Sequence, residues 1–96
     1  HIGDFGYDLH DFNGRTGDLF GKMKEPVAAR APYMTIPSNH EDYRNATHYQ
    51  ARFNMPTNEA NKGTDLFFSF NFGLAHYVMF DTEFYFNPGM DGAIVN

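Results

Sequence analysis

The sequence predicts an α/β fold, on three observations. A stretch of helical periodicity lies between two short apolar segments, each of these ends in a dense polar cluster, and a later run alternates aromatic with polar residues as a hairpin does.

Taken in order, His1 to Phe5 reads as the end of a strand running into a turn, because Ile2 is followed by Gly3 and Asp4, and Gly6 permits unusual backbone angles. From Gly17 to about Ala31, Leu19, Phe20, Met23 and Val27 recur at helical spacing, while Lys22, Lys24 and Arg30 supply polar faces. Thr16 is placed to cap its start. Pro26 removes a backbone donor and argues for a break, so one helix or two remain open. Tyr33 to Ile36, between Pro32 and Pro37, reads as a short buried strand that delivers Ser38, Asn39, His40 and Glu41 at its exit. Ala46 to Phe53 is expected as a short helix and Asn54 to Asp65 as a surface loop. Phe68, Phe70 and Phe72 alternate with Ser69 and Asn71, and Val78 and Phe80 follow across Gly73, which predicts a β-hairpin over residues 66–81. The tail after Phe86 reads as loop or frayed end.

Ninety-six residues, 42% hydrophobic and 18% aromatic, suit one compact domain with a modest core. The formal charge is 7 − 12 = −5 with the basic residues scattered, which disfavours nucleic acid as a partner. No run approaches the roughly 18 apolar residues of a membrane span, so no membrane partner is expected. Without cysteine, the available ligands and catalysts are His, Asp, Asn, Tyr and Glu. The polar motif begins within four residues of the start, as if an upstream strand had been cut, and a piece of a longer chain is expected.

Polar clusters at successive strand exits can share one pocket in an α/β sheet. Here they offer a carboxylate (Asp4), a phenol (Tyr7), an amide oxygen (Asn39) and an imidazole (His40), a set suited to hard metal ions. Asp8, Asp11, Asn13 and Gly14 hint at a calcium loop, but Phe20 stands where an EF-hand needs its bidentate Glu.

Gly3-Asp4-Phe5-Gly6-Tyr7 resembles the Gly-Asp-x-x-Tyr block of the purple acid phosphatases, within the calcineurin-like metallophosphoesterases, and Asn39-His40-Glu41 is similar to their Gly-Asn-His-Glu block. Glu25-Pro26-Val27-Ala28-Ala29, Pro32-Tyr33-Met34-Thr35 and the hairpin from Phe68 to Glu83 extend the likeness over roughly Ile2 to Phe86. Two short blocks in order, with similar sequence between them, are far more specific than either alone.

The resemblance implies that residues 1–96 are part of a metallophosphoesterase catalytic domain, a four-layer sandwich of two β-sheets flanked by helices. It implies a parent enzyme that hydrolyses phosphate monoesters at acidic pH with Fe(III) and a divalent metal (Zn, Fe or Mn). Asp4, Tyr7 and Asn39 would be metal ligands, His40 would be catalytic and bind substrate, and Glu41 would lie at the substrate in a supporting role. The family's upstream Asp-x-Gly block and its downstream histidine blocks have no counterpart here, so flanking segments of the parent are expected partners and the isolated chain is expected to be inactive. Ser38 replaces the family's glycine; if that position needs a positive φ, its Cβ costs about 1–2 kcal/mol.

That departure motivates an alternative, a pseudoenzyme or a structural or binding piece that keeps the fold without catalysis. Asn45-Ala46-Thr47 fits a glycosylation acceptor, and a secreted or lysosomal location follows by resemblance. His76 is expected as a satisfied core or edge histidine, and His1, His10 and His48 as solvent-facing. Substrate identity and oligomeric state are not legible.

Overall fold

A computed structural model describes residues 1–41, 43–56 and 66–83. Along the chain these form helix α1 (Arg15–Ala28), a 3₁₀ turn (Asn39–Glu41), helix α2 (Tyr43–Gln50) and strands β1 (Phe67–Phe72) and β2 (Ala75–Phe80). Helices and an antiparallel sheet together bear out the α/β class. The loop over residues 57–65 and the tail after Phe86 lie outside the described residues.

The core gathers Phe5, Leu9, Ala46, Tyr49 and Leu66, with Phe20, Phe53 and Phe67 packed against it. Its aromatic rings interlock: Phe5 lies 4.9 Å from Phe53 and 5.5 Å edge-on from Phe20, and Tyr49 lies 4.9 Å from Phe53. Such pairs add to the apolar burial. Beneath them the Thr35 and Tyr49 hydroxyls share a hydrogen bond of 2.9 Å, so both polar groups are satisfied where they are fully buried.

Helix α1 is one helix. It starts at Arg15 with Gly14 as N-cap, so Thr16 sits inside it and does not cap it. Pro26 lies in its last turn without breaking it, and the Arg30 guanidinium donates to the Pro26 carbonyl at 2.7 Å. The helical stripe splits: Phe20 turns to the core, whereas Leu19, Met23 and Val27 are exposed. The expected strand over Tyr33–Ile36 is reduced to one parallel bridge, Ile2 to Ile36, in which the Gly3 N–H donates to the Ile36 carbonyl at 2.8 Å. That bridge suffices to lay the two strand exits side by side. In α2 the first turn is left-handed at Arg44, Asn45 and Ala46, and a right-handed turn follows.

The hairpin pairs Phe68 with Met79 and Phe70 with Tyr77 across a two-residue turn, Gly73–Leu74. Phe68 is buried and the Phe70 ring stacks on Tyr77 at 5.0 Å, but Phe72, Val78 and Phe80 are exposed. His76 is a cross-strand histidine, its Nδ1 2.7 Å from Asn71 Oδ1. No helix among the described residues is long and apolar enough to cross a membrane.

Candidate active site

Phe5 roots the first polar cluster. It is fully buried in the middle of Gly3-Asp4-Phe5-Gly6-Tyr7, so Asp4 and Tyr7 emerge on either side of a fixed point. Both emerge in the left-handed region, Asp4 at φ 59° and Tyr7 at φ 47°. Gly3 has a second role: a Cβ there would overlap the Ser38 side chain, so its smallness lets the two exits touch.

Glu41 holds the two turns together. Its carboxylate is 2% exposed and accepts N–H bonds from Asp4 at 2.9 Å, Phe5 at 2.8 Å and Ser38 at 3.0 Å. A carboxylate is the side chain that can accept three backbone donors at once, and charge-assisted bonds of this kind are the strong ones. The acid in Asn39-His40-Glu41 therefore reaches across to the first motif instead of facing outward.

Ser38 does not have a positive φ, so the strain anticipated from replacing glycine is absent. Its hydroxyl instead donates to Asp4 Oδ1 at 2.6 Å, the shortest of its contacts, and lies 3.2 Å from the Asp4 amide and from Glu41 Oε2.

On the outer side, His40 Nδ1 donates to Asp8 Oδ1 at 3.0 Å, and the Tyr7 ring meets the His40 ring edge-on at 4.6 Å. The hydrogen bond to Asp8 raises the His40 pKa above its ordinary value, burial opposes it, and the charges of Asp4, Asp8 and Glu41 assist it. Asp8 was legible in the sequence only as part of a calcium-like loop. It meets His40 with a φ of 79°, a conformation no periodicity reveals.

The structure thus brings Asp4, Tyr7, His40 and Glu41 into one neighbourhood, with Asn39 exposed beside them on the 3₁₀ turn. Carboxylate, phenol and amide oxygens form a hard donor set that fits a ferric or divalent ion in kind. The set is partial: among the described residues no three His, Cys, Asp or Glu side chains gather as a metal site. Asn45 is exposed on the left-handed turn of α2, and the Thr47 hydroxyl donates to the Arg44 carbonyl.

His10 and His48 are half-buried, against the expectation of solvent-facing side chains. Burial and the neighbouring Arg52 lower the His48 pKa. Arg52 itself, which the sequence did not single out, hydrogen-bonds to His48, Gly14 and Asp18.

Comparison with known proteins identifies relatives by sequence. The chain is 50% identical over 86 residues to acid phosphatase type 7 of Homo sapiens, covering 90% of this chain and 19% of that protein. The likeness to acid phosphatase type 7 of Danio rerio is again 50% over 86 residues, covering 18% of that protein. Probable purple acid phosphatase 20 of Arabidopsis thaliana is 27% identical over 107 residues, covering 95% of this chain and 25% of the relative. The chain therefore spans about a fifth of the length of the type 7 relatives it matches. No family model and no solved structure matches it.

Proposed function

The chain is homologous to a segment of the purple acid phosphatases, and from that premise we propose that its parent protein hydrolyses phosphate monoesters at acidic pH. The observation that carries the reading is the fold of the two motifs onto each other: Glu41 of one clamps the backbone of Asp4 and Phe5 in the other. A four-layer sandwich supplied by the rest of the parent would complete the sheet edges.

In this reading Asp4, Tyr7 and Asn39 present their oxygens to Fe(III) and a divalent partner, with further ligands from the remainder of the parent. Bound there, the ions would act as Lewis acids on the phosphate oxygens. His40, held at Nδ1 by Asp8, offers Nε2 to the phosphate and gives its proton to the departing oxygen. The Asp8 carboxylate favours the protonated imidazole that this role needs. Glu41 acts beneath, fixing the spacing of Asp4 from the 3₁₀ turn. Asn45 is proposed as a glycan acceptor of a secreted or lysosomal parent; unchanged mass of the secreted protein after glycosidase treatment refutes it.

The test is turnover of p-nitrophenyl phosphate by the full-length parent across pH, with metal content measured on the same sample. Acidic turnover with two metals per chain is expected, and none from residues 1–96 alone. A full-length protein that binds metals and hydrolyses no monoester contradicts the proposal.

One observation favours the second reading, a fold retained without catalysis: the Ser38 hydroxyl occupies Asp4 Oδ1, one of the two oxygens that Asp4 could offer a metal. In the parent, Ser38→Gly separates the two. A large gain of activity means Ser38 suppresses the site; little change means Asp4 serves through its other oxygen.

A further inference from the structure

We propose that Arg52 is a positioning residue for the candidate site, holding the strained loop that carries Tyr7 and Asp8; the proposal rests on the functional reading above. The loop needs an anchor. Between Asp4 and Asn13, five non-glycine residues, Asp4, Tyr7, Asp8, Phe12 and Asn13, have positive φ. This conformation strains Tyr7 and Phe12 most, since Asp and Asn tolerate it better, and such a run persists only where the surroundings impose it.

The helix that follows supports it by apolar packing through Phe20 alone, which meets Phe5 and lies beside Gly6. Gly17 is the one buried residue of α1, and Leu19, Met23 and Val27 face outward. Gly17 is buried against Arg52, where a Cβ would overlap the guanidinium. Arg52 then spends all four Nη hydrogens. Nη2 donates to the Gly14 carbonyl and to Asp18 Oδ1, each at 2.9 Å, and Nη1 donates to His48 Nδ1 at 3.1 Å and to the His48 carbonyl at 3.2 Å. It thereby ties the start of α1 to the end of α2, whose Tyr49 is fully buried.

From that tie the loop is strung back to the site by backbone bonds. Gly17 N–H donates to the Leu9 carbonyl at 3.2 Å, Gly14 N–H to the His10 carbonyl at 3.0 Å, and Asp11 N–H to the Asp8 carbonyl at 3.0 Å. Asp8 then holds His40. The planar fork is what the site requires, because a lysine carries three donors on a single nitrogen and cannot bridge two elements in four directions.

The test is Arg52→Ala in the full-length parent, with Arg52→Lys as the milder variant should alanine fail to fold. We expect kcat to fall by about tenfold or more with KM changed less, since misplacing reacting groups costs rate. Amide exchange over residues 8–17 is expected to rise by about tenfold, reporting local opening independently of activity. Sub-denaturing guanidinium should restore part of the lost kcat in Arg52→Ala, and urea should not. Amide exchange over residues 8–17 unchanged in the variants overturns the proposal. So does a kcat loss that only tracks the folded fraction and ignores guanidinium. If the wild-type parent hydrolyses no phosphate monoester, the functional reading fails instead, and Arg52 is judged by the exchange result alone.

Discussion

The underside and the rim of the candidate site are built from neighbouring residues with opposite fates. On the underside, Glu41 and Phe5 are buried, one by hydrogen bonds to three backbone N–H groups and one by aromatic packing. On the rim, Asn39 is exposed, Tyr7 is 62% exposed and His40 half-exposed, although Asn39 and Glu41 stand only two positions apart in one 3₁₀ turn. The difference teaches that a short motif serves two purposes at once. One face supplies chemistry, and the other welds the motif to its partner, so damage to either face should be distinguishable by what is lost.

The largest expected effect lies underneath. Phe5→Ala empties the centre of the core cluster and should cost about 3–5 kcal/mol of stability, read from the denaturation midpoint of the parent. A cost below about 1 kcal/mol would show that the first motif is not rooted by this ring. Next, Glu41→Gln turns an amide N–H₂ toward backbone donors and weakens the remaining bonds, a loss on the order of 3 kcal/mol. Activity of the folded fraction should fall about tenfold, the scale of a supporting residue.

At the rim the signature inverts. Asp4→Asn keeps an oxygen for the Ser38 hydroxyl, so the denaturation midpoint should hold while kcat falls by about a hundredfold or more. Equal activity losses for Asp4→Asn and Glu41→Gln would erase the division between the two faces.

The smallest effects are in pH. His40 has a raised pKa, so the Asp8 contact contributes fully below about 6.5, the unfolded value, and is lost as pH rises through the higher folded value. His48 has a lowered pKa, so its contribution is present above about 6.5 and declines as pH falls toward the lower folded value. Thermal midpoints of Asp8→Asn and His48→Gln against wild type should therefore move oppositely: acidification widens the first gap and narrows the second. Parallel gaps would show that neither contact titrates as placed.

Local chemistry was enough to read much of this in the sequence. The hairpin followed from period-two alternation and Gly73, and the two polar clusters followed from their position after short apolar runs, because those signals act over a few residues. The resemblance of both blocks pointed to the phosphatase relatives on similar grounds. What the chain's periodicity did not determine is which side chains turn inward.

Only the tertiary structure decided that Glu41 clamps the opposite motif, that Asp8 meets His40, and that Arg52 closes on Gly14 and Asp18. The sequence separations are 36, 32, 38 and 34 residues, too long for any helical or strand period to encode. The positive φ at Asp8 and the start of α1 at Arg15, not at Gly17, likewise come from these distant bonds, since intrinsic propensity disfavours the first and is indifferent to the second. Sequence determined the chemical groups and their local elements; long-range hydrogen bonding, which satisfies buried charge, decided which groups were left facing solvent to react.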